Sequence, residues 1–566
     1  MKILFLTHSF NSLTQRLFIE LQNLGHEISI EFDINDKVSL EAVKLFQPNL
    51  IIAPFLKRKI QKEVWQNYLT WIIHPGILGD RGPSALDWAI LNDEKIWGVS
   101  VIEAVEELDA GPVWGYEYFA MPSSRSKSSI YRNEITEATM QAIKKSLKRL
   151  ENNQKPVAVS EIRENIKGNL HQKISQNNRK IDWQNDNSQT IIRKINSADS
   201  SPGILTNFFD NEYFLYDAHI EKKLKGKPKE ILAKHENAVC IATTDGAIWI
   251  GHLKKRRDNE KKYFKLPATT ILKDFLKNIP EKSTSLLKDK NTYQEIFYEI
   301  KGKIAFLHFP FYNGAMSSEQ CSRLKNAFQK VCETDAKIIV LMGGNDFFSN
   351  GIHLNTIENA EDSPQESMQN ILAMNTLVKK IIQTTNKITV AAMRGNIGAG
   401  GVFFALACDF VWAKNSVVLN PHYKNMGNLY GSEFWTYLLP KRVGKNLAEI
   451  KKLRLPIGVE KAKSLKLIDD HFGNSRTEFE EILQNNLVKT LTQENEIISN
   501  KINTRKSDEF KKPLAEYEQE ELAKMKQNFF GFDPSYHVAR YNFVNKVKHS
   551  RTPLFLAKHR NKNNSN

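Results

Sequence analysis

The N-terminal part of the chain alternates short apolar runs with amphipathic stretches: "KILFLTHS", "TQRLFIELQNLG", "EISIEFD", "SLEAVKLFQ" and "NLIIAPFL" follow one another. Apolar runs of strand length separated by helix-length segments predict a parallel sheet wound with helices. A helix with basic residues at i, i+4 spacing, "TEATMQAIKKSLKRLENN", closes this region. The texture then changes to short β-like pieces such as "AVCIATTDGAIWIGHL", where Asp245-Gly246 marks a hairpin turn. After a polar, lysine-rich stretch, apolar runs return in "YQEIFYEIKGKIAFLHFP", "AKIIVLMGG" and "KITVAAMRG", again alternating with helices. The remainder is helical and charged, and there is no internal repeat. The pattern therefore predicts an α/β multidomain protein. A doubly wound parallel sheet occupies 1–155, a small β-rich domain 156–270 and a linker 271–292. A second α/β domain with C-terminal helices follows over 293–540, and a basic, disordered tail is expected over 541–566.

Composition fits several domains. A chain of 566 residues is too long for one core, and 41% hydrophobic content with 9 Trp and 31 Phe is enough to fill two or more. No apolar run is long enough to span a membrane, and "MKILFLTHSF" reads as a first strand rather than a signal peptide. The 4 cysteines have no CxxC spacing, so no zinc site or disulfide framework is expected and a reducing cytoplasm is the natural setting. The formal charge of +16 is spread along the chain without the clustered footprint of a nucleic-acid binder, so neither a nucleic acid nor a membrane is expected as partner. A modest role for the positive charge is attraction of anionic small molecules.

Chemistry first becomes visible in "TWIIHPGILGDRGPSALDWAI". His74 follows an apolar strand and precedes a helix capped by Ser84, on a loop crowded with glycine and proline. A His-Pro-Gly turn alone is usually only a surface turn, but rigid loops at strand ends are where α/β proteins place catalytic groups. Downstream, "WGVSVIEAVEELDAGPVWG" delivers Asp109 on a second turn. His74 is then the expected proton shuttle, with Asp109 setting its tautomer and stabilising its cationic form.

These residues carry a resemblance. His74-Pro75, the glycine-rich turn, "DWAI", "WGVSV" and Asp109-Ala-Gly-Pro-Val together resemble the folate-dependent formyltransferases, including methionyl-tRNA formyltransferase. The likeness extends more weakly into "RKIDWQNDNSQTIIRKINSADSSPGILT". It implies that His74 and Asp109 act on a tetrahedral intermediate formed from 10-formyltetrahydrofolate. The family's asparagine two residues before the histidine is replaced by Ile72. An oxyanion donor of that kind is worth roughly 3 kcal/mol of barrier, so its loss leaves three readings: another donor in its place, slower transfer, or an easier acceptor such as a thiolate.

A second pair of turns lies in "FFSNGIHLNTI" and "GNIGAGGVFFALACDFVWA". Each has glycines that permit close backbone approach, and two such turns can aim two N–H groups at one oxygen. Together they resemble the crotonase (enoyl-CoA hydratase) superfamily. That resemblance implies that the N–H groups of Ile352 and Gly400 polarise the carbonyl of a coenzyme A thioester, with Gly351 and Gly401 lining the bound cofactor. Phe403 stands where the first hydratase glutamate falls and His422 near the second, so hydration of an alkene is not expected. Glu433 is the first candidate for a base in this half, followed by Tyr423 and His422.

A formyl-donor site followed by a thioester site resembles a family of hydrogenase maturation proteins in which both folds occur in this order. The resemblance implies transfer of formyl from 10-formyltetrahydrofolate to coenzyme A, then decarbonylation of formyl-CoA to carbon monoxide for a [NiFe]-hydrogenase. Maturation proteins receiving the carbon monoxide are implied partners. Gln15, Arg132 and Ser200 are candidates for the coenzyme A path, and no metal site is expected. Two other readings stay open: a formyltransferase acting on another acceptor, such as initiator Met-tRNA, with a non-catalytic acyl-CoA-binding module, and a catalytically inactive assembly scaffold.

Overall fold

The computed structural model describes residues 1–257 and 263–561. The chain divides into two units. The first gathers the N-terminal part, Pro267–Glu281 and the end of the chain from Lys548; the second is Lys282–Val547 with a short piece before Pro267.

The first unit opens with β1 (Lys2–Thr7), β2 (Glu27–Phe32), β3 (Leu50–Ala53), β4 (Thr70–His74), β5 (Ile96–Glu103) and β6 (Val113–Ala120). They form one sheet in the order β2-β1-β3-β4-β5-β6. The first four strands are parallel, as the apolar runs predict; β5 and β6 each run antiparallel to the preceding strand. Ile3, Leu4, Phe5, Leu50, Ile51 and Ile52 are fully buried, because helices cover both faces of the parallel strands. Asn11 and Asn35 cap the helices Ser12–Asn23 and Asp36–Phe46 by accepting the N–H groups of Thr14 and Val38. Since β1 lies between β2 and β3, the winding reverses there, and the carboxyl ends of the neighbouring strands are the natural place for a ligand.

The β-rich part contains β7 (Ile204–Phe208), β8 (Asn211–Glu221), β9 (Ile231–His235), β10 (Ala238–Ala242) and β11 (Ala247–Lys255), ordered β7-β8-β11-β10-β9. The expected Asp245-Gly246 turn joins β10 to β11, and Asp245 Oδ1 also accepts the Ser188 N–H at 2.8 Å. Leu272 and Leu276 enter the core of this sheet, so the chain through Glu281 packs with it. The expected linker over 271–292 therefore begins later than its lysine content suggests, because two leucines anchor its first part.

The expectation of a disordered tail over 541–566 is corrected for its described residues. The helix Ser535–Val544 is continuous through 541, and residues beyond Lys548 pack into the first unit. There Glu31 of β2 is fully buried, and it is met by the Thr552 hydroxyl, by His559 Nε2 at 3.0 Å and by Arg560 Nη2 at 2.7 Å. Two of the basic residues that made the segment look solvated, His559 and Arg560, pair with this carboxylate, while Leu556 and Ala557 are buried. Residues 562–566 of the expected tail lie outside the described residues.

In the second unit, the strands Phe297–Lys301, Ile304–His308, Ile338–Leu341, Ile388–Met393, Phe410–Lys414 and Asp470–Phe472 form a sheet in that order. Only the first pairing is antiparallel. A smaller parallel sheet contains Phe347–Ser349, Asn396–Gly398 and Leu419–Asn420. Helices Ser318–Cys332 and Ser363–Gln383 supply much of the core, and four helices from Arg476 to Val544 follow the sheet. No helix among the described residues is long and apolar enough to cross a membrane.

Candidate functional sites

His74 is the last residue of β4 and is 5% exposed. The loop behind it is fixed by two bonds from neighbouring side chains. Trp97 Nε1 donates to the Pro75 carbonyl at 2.9 Å, and the Ser100 hydroxyl donates to the Gly76 carbonyl at 3.1 Å. Asp109 adopts φ +55° in the β5–β6 turn, and its Oδ2 accepts the Gly82 N–H at 3.1 Å. The structure thus brings His74 and Asp109 together, with Asp109 Oδ1 3.7 Å from His74 Nδ1. That distance corrects the expected role of Asp109 in setting the tautomer, because it is too long for a hydrogen bond. The carboxylate bonded to the ring is Asp80, whose Oδ2 lies 2.8 Å from Nε2. Asp80 stood in the same glycine-rich loop, six residues after the histidine, and its position was the signal available in the sequence. Ile72 faces an apolar cluster containing Leu78, Ile102, Val113 and Val159, so no polar side chain takes the missing asparagine's place at that position.

Gln15, Arg132 and Ser200 are spread around the same unit. Gln15, on the first helix, donates to the Phe10 carbonyl at 2.9 Å. Arg132 lies on a π-helical turn, a distortion frequent at functional sites, and its Nη1 is 3.3 Å from Ser128 Oγ. Ser128 in turn donates to Asp199, the neighbour of exposed Ser200. The turn carrying Arg132 also packs against the helix that carries Gln15. Arg132 is therefore linked by neighbours both toward Gln15 and toward Ser200.

The second site forms where the three strands of the small parallel sheet end. Their carboxyl ends lead into Gly351-Ile352, Ala399-Gly400 and the segment through Tyr423. A Cβ on Gly351 would lie 3.2 Å from the Gly400 nitrogen, and one on Gly401 would strike the Ser349 carbonyl. The two turns therefore touch backbone to backbone, and Gly351 holds the left-handed φ of +77°. Among the described residues, neither the Ile352 N–H nor the Gly400 N–H donates to a protein acceptor. The Glu433 carboxylate packs directly on the Gly400 α-carbon, where any side chain would collide with it.

Glu433 and Phe434 both adopt left-handed backbone conformations, with φ of +61° and +57°. Such strain in non-glycine residues persists only when surrounding structure holds it. Asn375 Oδ1 accepts the Glu433 N–H at 2.9 Å and the Ser432 hydroxyl at 3.0 Å. Glu521 accepts the N–H groups of Phe434 at 2.9 Å and Thr436 at 2.8 Å, and the Thr436 hydroxyl at 2.6 Å. On the Asn375 helix, Asn370 accepts the His353 N–H at 3.1 Å, so one helix braces both site loops. Burial pushes the Glu433 carboxyl up to about 7, opposed by a hydrogen bond from the Tyr423 hydroxyl and reinforced by the charge of Glu521. The same desolvation raises the Tyr423 phenol well above its ordinary value.

Phe403 stacks on Tyr423 with ring centroids 5.3 Å apart, so the position of the first hydratase acid is filled by an aromatic wall. His422 is half-buried, and its imidazole is pushed down to about 4, first by burial and then by nearby Lys424. It is neutral at neutral pH, and no bond joins it to Glu433. Among the described residues, no cluster of three or more His, Cys, Asp or Glu is arranged to hold a metal.

The architecture and the two sites define a class: a formyltransferase-type unit joined to an enoyl-CoA hydratase-type unit. Residues 173–265 match the formyl transferase C-terminal domain, and residues 302–550 match the enoyl-CoA hydratase/isomerase family. Methionyl-tRNA formyltransferase of Pseudothermotoga lettingae is 30% identical over 186 residues, 32% of this chain and 59% of that protein. Hydrogenase maturation factor HoxX of Bradyrhizobium diazoefficiens is 45% identical over 565 residues, covering 99% of this chain and 97% of that protein. The structure of HypX from Aquifex aeolicus in complex with tetrahydrofolic acid aligns over 99% of both chains, with 48% identity and a TM-score of 0.95. The chain belongs to the HoxX/HypX family of hydrogenase maturation factors.

Proposed function

We propose that the protein is a bifunctional enzyme that makes carbon monoxide for the iron of a [NiFe]-hydrogenase. In the first unit, formyl passes from N10 of 10-formyltetrahydrofolate to the sulfur of coenzyme A. His74 takes the thiol proton as the C–S bond forms and returns it to N10 as the C–N bond breaks. Asp109, 3.7 Å from the ring, stabilises the imidazolium formed between these steps. A thiolate needs less assistance than an amine, which accommodates Ile72 where the formyltransferases have an amide donor. Gln15, Arg132 and Ser200 are assigned to the coenzyme A path.

In the second unit, formyl-CoA presents its carbonyl oxygen to the N–H groups of Ile352 and Gly400, with Gly351 and Gly401 against the thioester. Formyl-CoA has no α-carbon, so the only C–H that can ionise is on the carbonyl itself. Glu433 takes this hydrogen as a proton, the C–H electron pair becomes part of carbon monoxide, and the C–S bond breaks to release thiolate. The proton then passes to sulfur, regenerating coenzyme A. Tyr423 orients Glu433 through its hydroxyl, and apolar Phe403 keeps out a second carboxylate that would activate water and yield formate. The observation that carries this reading is the Glu433 carboxylate, lying directly on the Gly400 turn and raised to about 7, a value suited to a base at neutral pH. The reading places the protein in the cytoplasm with its folate and coenzyme A substrates.

The acceptor separates this proposal from its main rival. With 10-formyltetrahydrofolate, the purified protein is expected to formylate coenzyme A and to leave charged initiator tRNA unmodified, both followed by mass spectrometry. Efficient production of formyl-methionyl-tRNA, with no formyl-CoA, contradicts it.

A further inference from the structure

We propose that Asp80 is the positioning residue of the formyl-transfer site: it holds His74 with its proton on Nε2 and thereby leaves Nδ1 as the nitrogen that accepts the substrate proton. This inference rests on the formyl-transfer reading of the first unit and adds to it a residue outside the His74–Asp109 pair.

Asp80 is 2% exposed and its carboxyl group is fully enclosed. The enclosure comes from the chain that follows the first sheet. Gly168 donates to the Leu78 carbonyl at 2.7 Å, Arg81 donates to the Asn169 carbonyl at 3.1 Å, and His171 donates to the Arg81 carbonyl at 2.8 Å. This strap lies so close that a Cβ on Gly168 would fall 2.5 Å from the Asp80 α-carbon. A buried carboxylate is costly unless it is well paired, and most buried carboxylates collect several donors. Asp80 has few. Its Oδ2 is bonded to His74 Nε2 at 2.8 Å, while Oδ1 has no hydrogen-bond partner and lies 3.7 Å from His171 Nε2. A charge enclosed at such expense for a single strong bond is placed for the group at the other end of that bond.

The loop protects the same contact. A Cβ on Gly76 would lie 2.5 Å from both Asp80 Oδ2 and His74 Nε2, so the bond exists only because this residue is glycine. Acting as acceptor, Asp80 requires a hydrogen on Nε2. In the neutral ring the lone pair is then on Nδ1, the edge that faces Asp109 Oδ1 across 3.7 Å. The two carboxylates thus have different tasks: Asp80 fixes the tautomer and Asp109 meets the charge that forms on the working edge.

Asparagine at this position keeps the shape and can donate its amide hydrogen to Nε2, which reverses the tautomer and puts a hydrogen on Nδ1. The test uses the full-length protein labelled with ring-15N histidine, in wild-type, Asp80→Asn and His74→Gln forms, the last to assign the His74 signals. In the wild type, Nε2 is expected to be protonated and Nδ1 to show the shift of an unprotonated ring nitrogen. In Asp80→Asn the two are exchanged, kcat for formyl-CoA formation falls roughly a thousandfold, and affinity for tetrahydrofolate stays within about twofold. A wild-type ring with its hydrogen on Nδ1, or an Asp80→Asn enzyme with wild-type kcat, overturns the proposal. Should Asp80→Asn fail to fold, the wild-type tautomer alone decides. A wild-type protein that makes no formyl-CoA refutes the transfer reading instead, because the tautomer is measured without turnover.

Discussion

Glu433→Gln protein supplied with 10-formyltetrahydrofolate and coenzyme A accumulates formyl-CoA, while carbon monoxide output falls by roughly a hundredfold or more. The amide keeps the length of the side chain and can still accept the Tyr423 hydroxyl, but it takes no proton at neutral pH. His74 and Asp109 belong to the other unit, so synthesis of formyl-CoA continues. A pH profile adds a second signature. The Glu433 carboxyl is raised to about 7, and the proposed base is its ionised form. Carbon monoxide formation by the wild type, measured from synthetic formyl-CoA, therefore rises as pH increases through about 7 and levels off above it. The residual activity of Glu433→Gln lacks that rise. Stability moves the other way. A carboxyl whose folded pKa lies above its unfolded value favours folding least once the pH exceeds both, so removing its charge does not destabilise the protein on that account above about pH 7. If Glu433→Gln makes carbon monoxide normally and Tyr423→Phe does not, the base is Tyr423.

His74→Gln and Asp109→Asn each abolish formyl transfer by roughly a hundredfold or more, as measured by formyl-CoA production, and leave decarbonylation of added formyl-CoA intact. Glutamine is the better replacement for His74 because the enclosed Asp80 keeps a donor within reach. His74→Ala strips that donor away and adds a stability cost of about 1–3 kcal/mol to the loss of catalysis. Asp109 is only partly buried in a turn, so its amide variant tests charge with little change in packing. Wild-type transfer rates in both variants exclude this pair as the first active site. The opposed losses in Glu433→Gln and His74→Gln, each sparing the other half-reaction, are what two separate active sites in one chain require.

The parallel strands of both units were legible because strands buried on both faces are written as unbroken apolar runs. The antiparallel turn of β5 was not, since an apolar run carries no direction. The glycine turns at Gly351 and Gly400 were readable from spacing, because close backbone contact excludes every other residue there. Supporting groups were harder to see. Asn375 is a polar residue inside a buried helical stripe, and Glu521 interrupts the otherwise apolar stripe of Leu514, Met525 and Phe529. A carboxylate at a core position was a signal that something polar faces it, but its partners Phe434 and Thr436 lie more than eighty residues earlier. The C-terminal tail misled for a related reason. Its lysines and arginines have the composition of a solvated end, and only the fold reveals Glu31 as the buried charge that holds it.

Carbon from the formyl group must leave as carbon monoxide if the two sites act in sequence. The direct measurement supplies the purified wild-type protein with 10-[13C]formyltetrahydrofolate and a catalytic amount of coenzyme A, and traps the gas on deoxyhaemoglobin. Labelled carbon monoxide is expected in amounts far exceeding the coenzyme A present, and none is expected when coenzyme A is omitted. Label recovered as formate, or as formyl-CoA that persists without carbon monoxide, contradicts the proposed function.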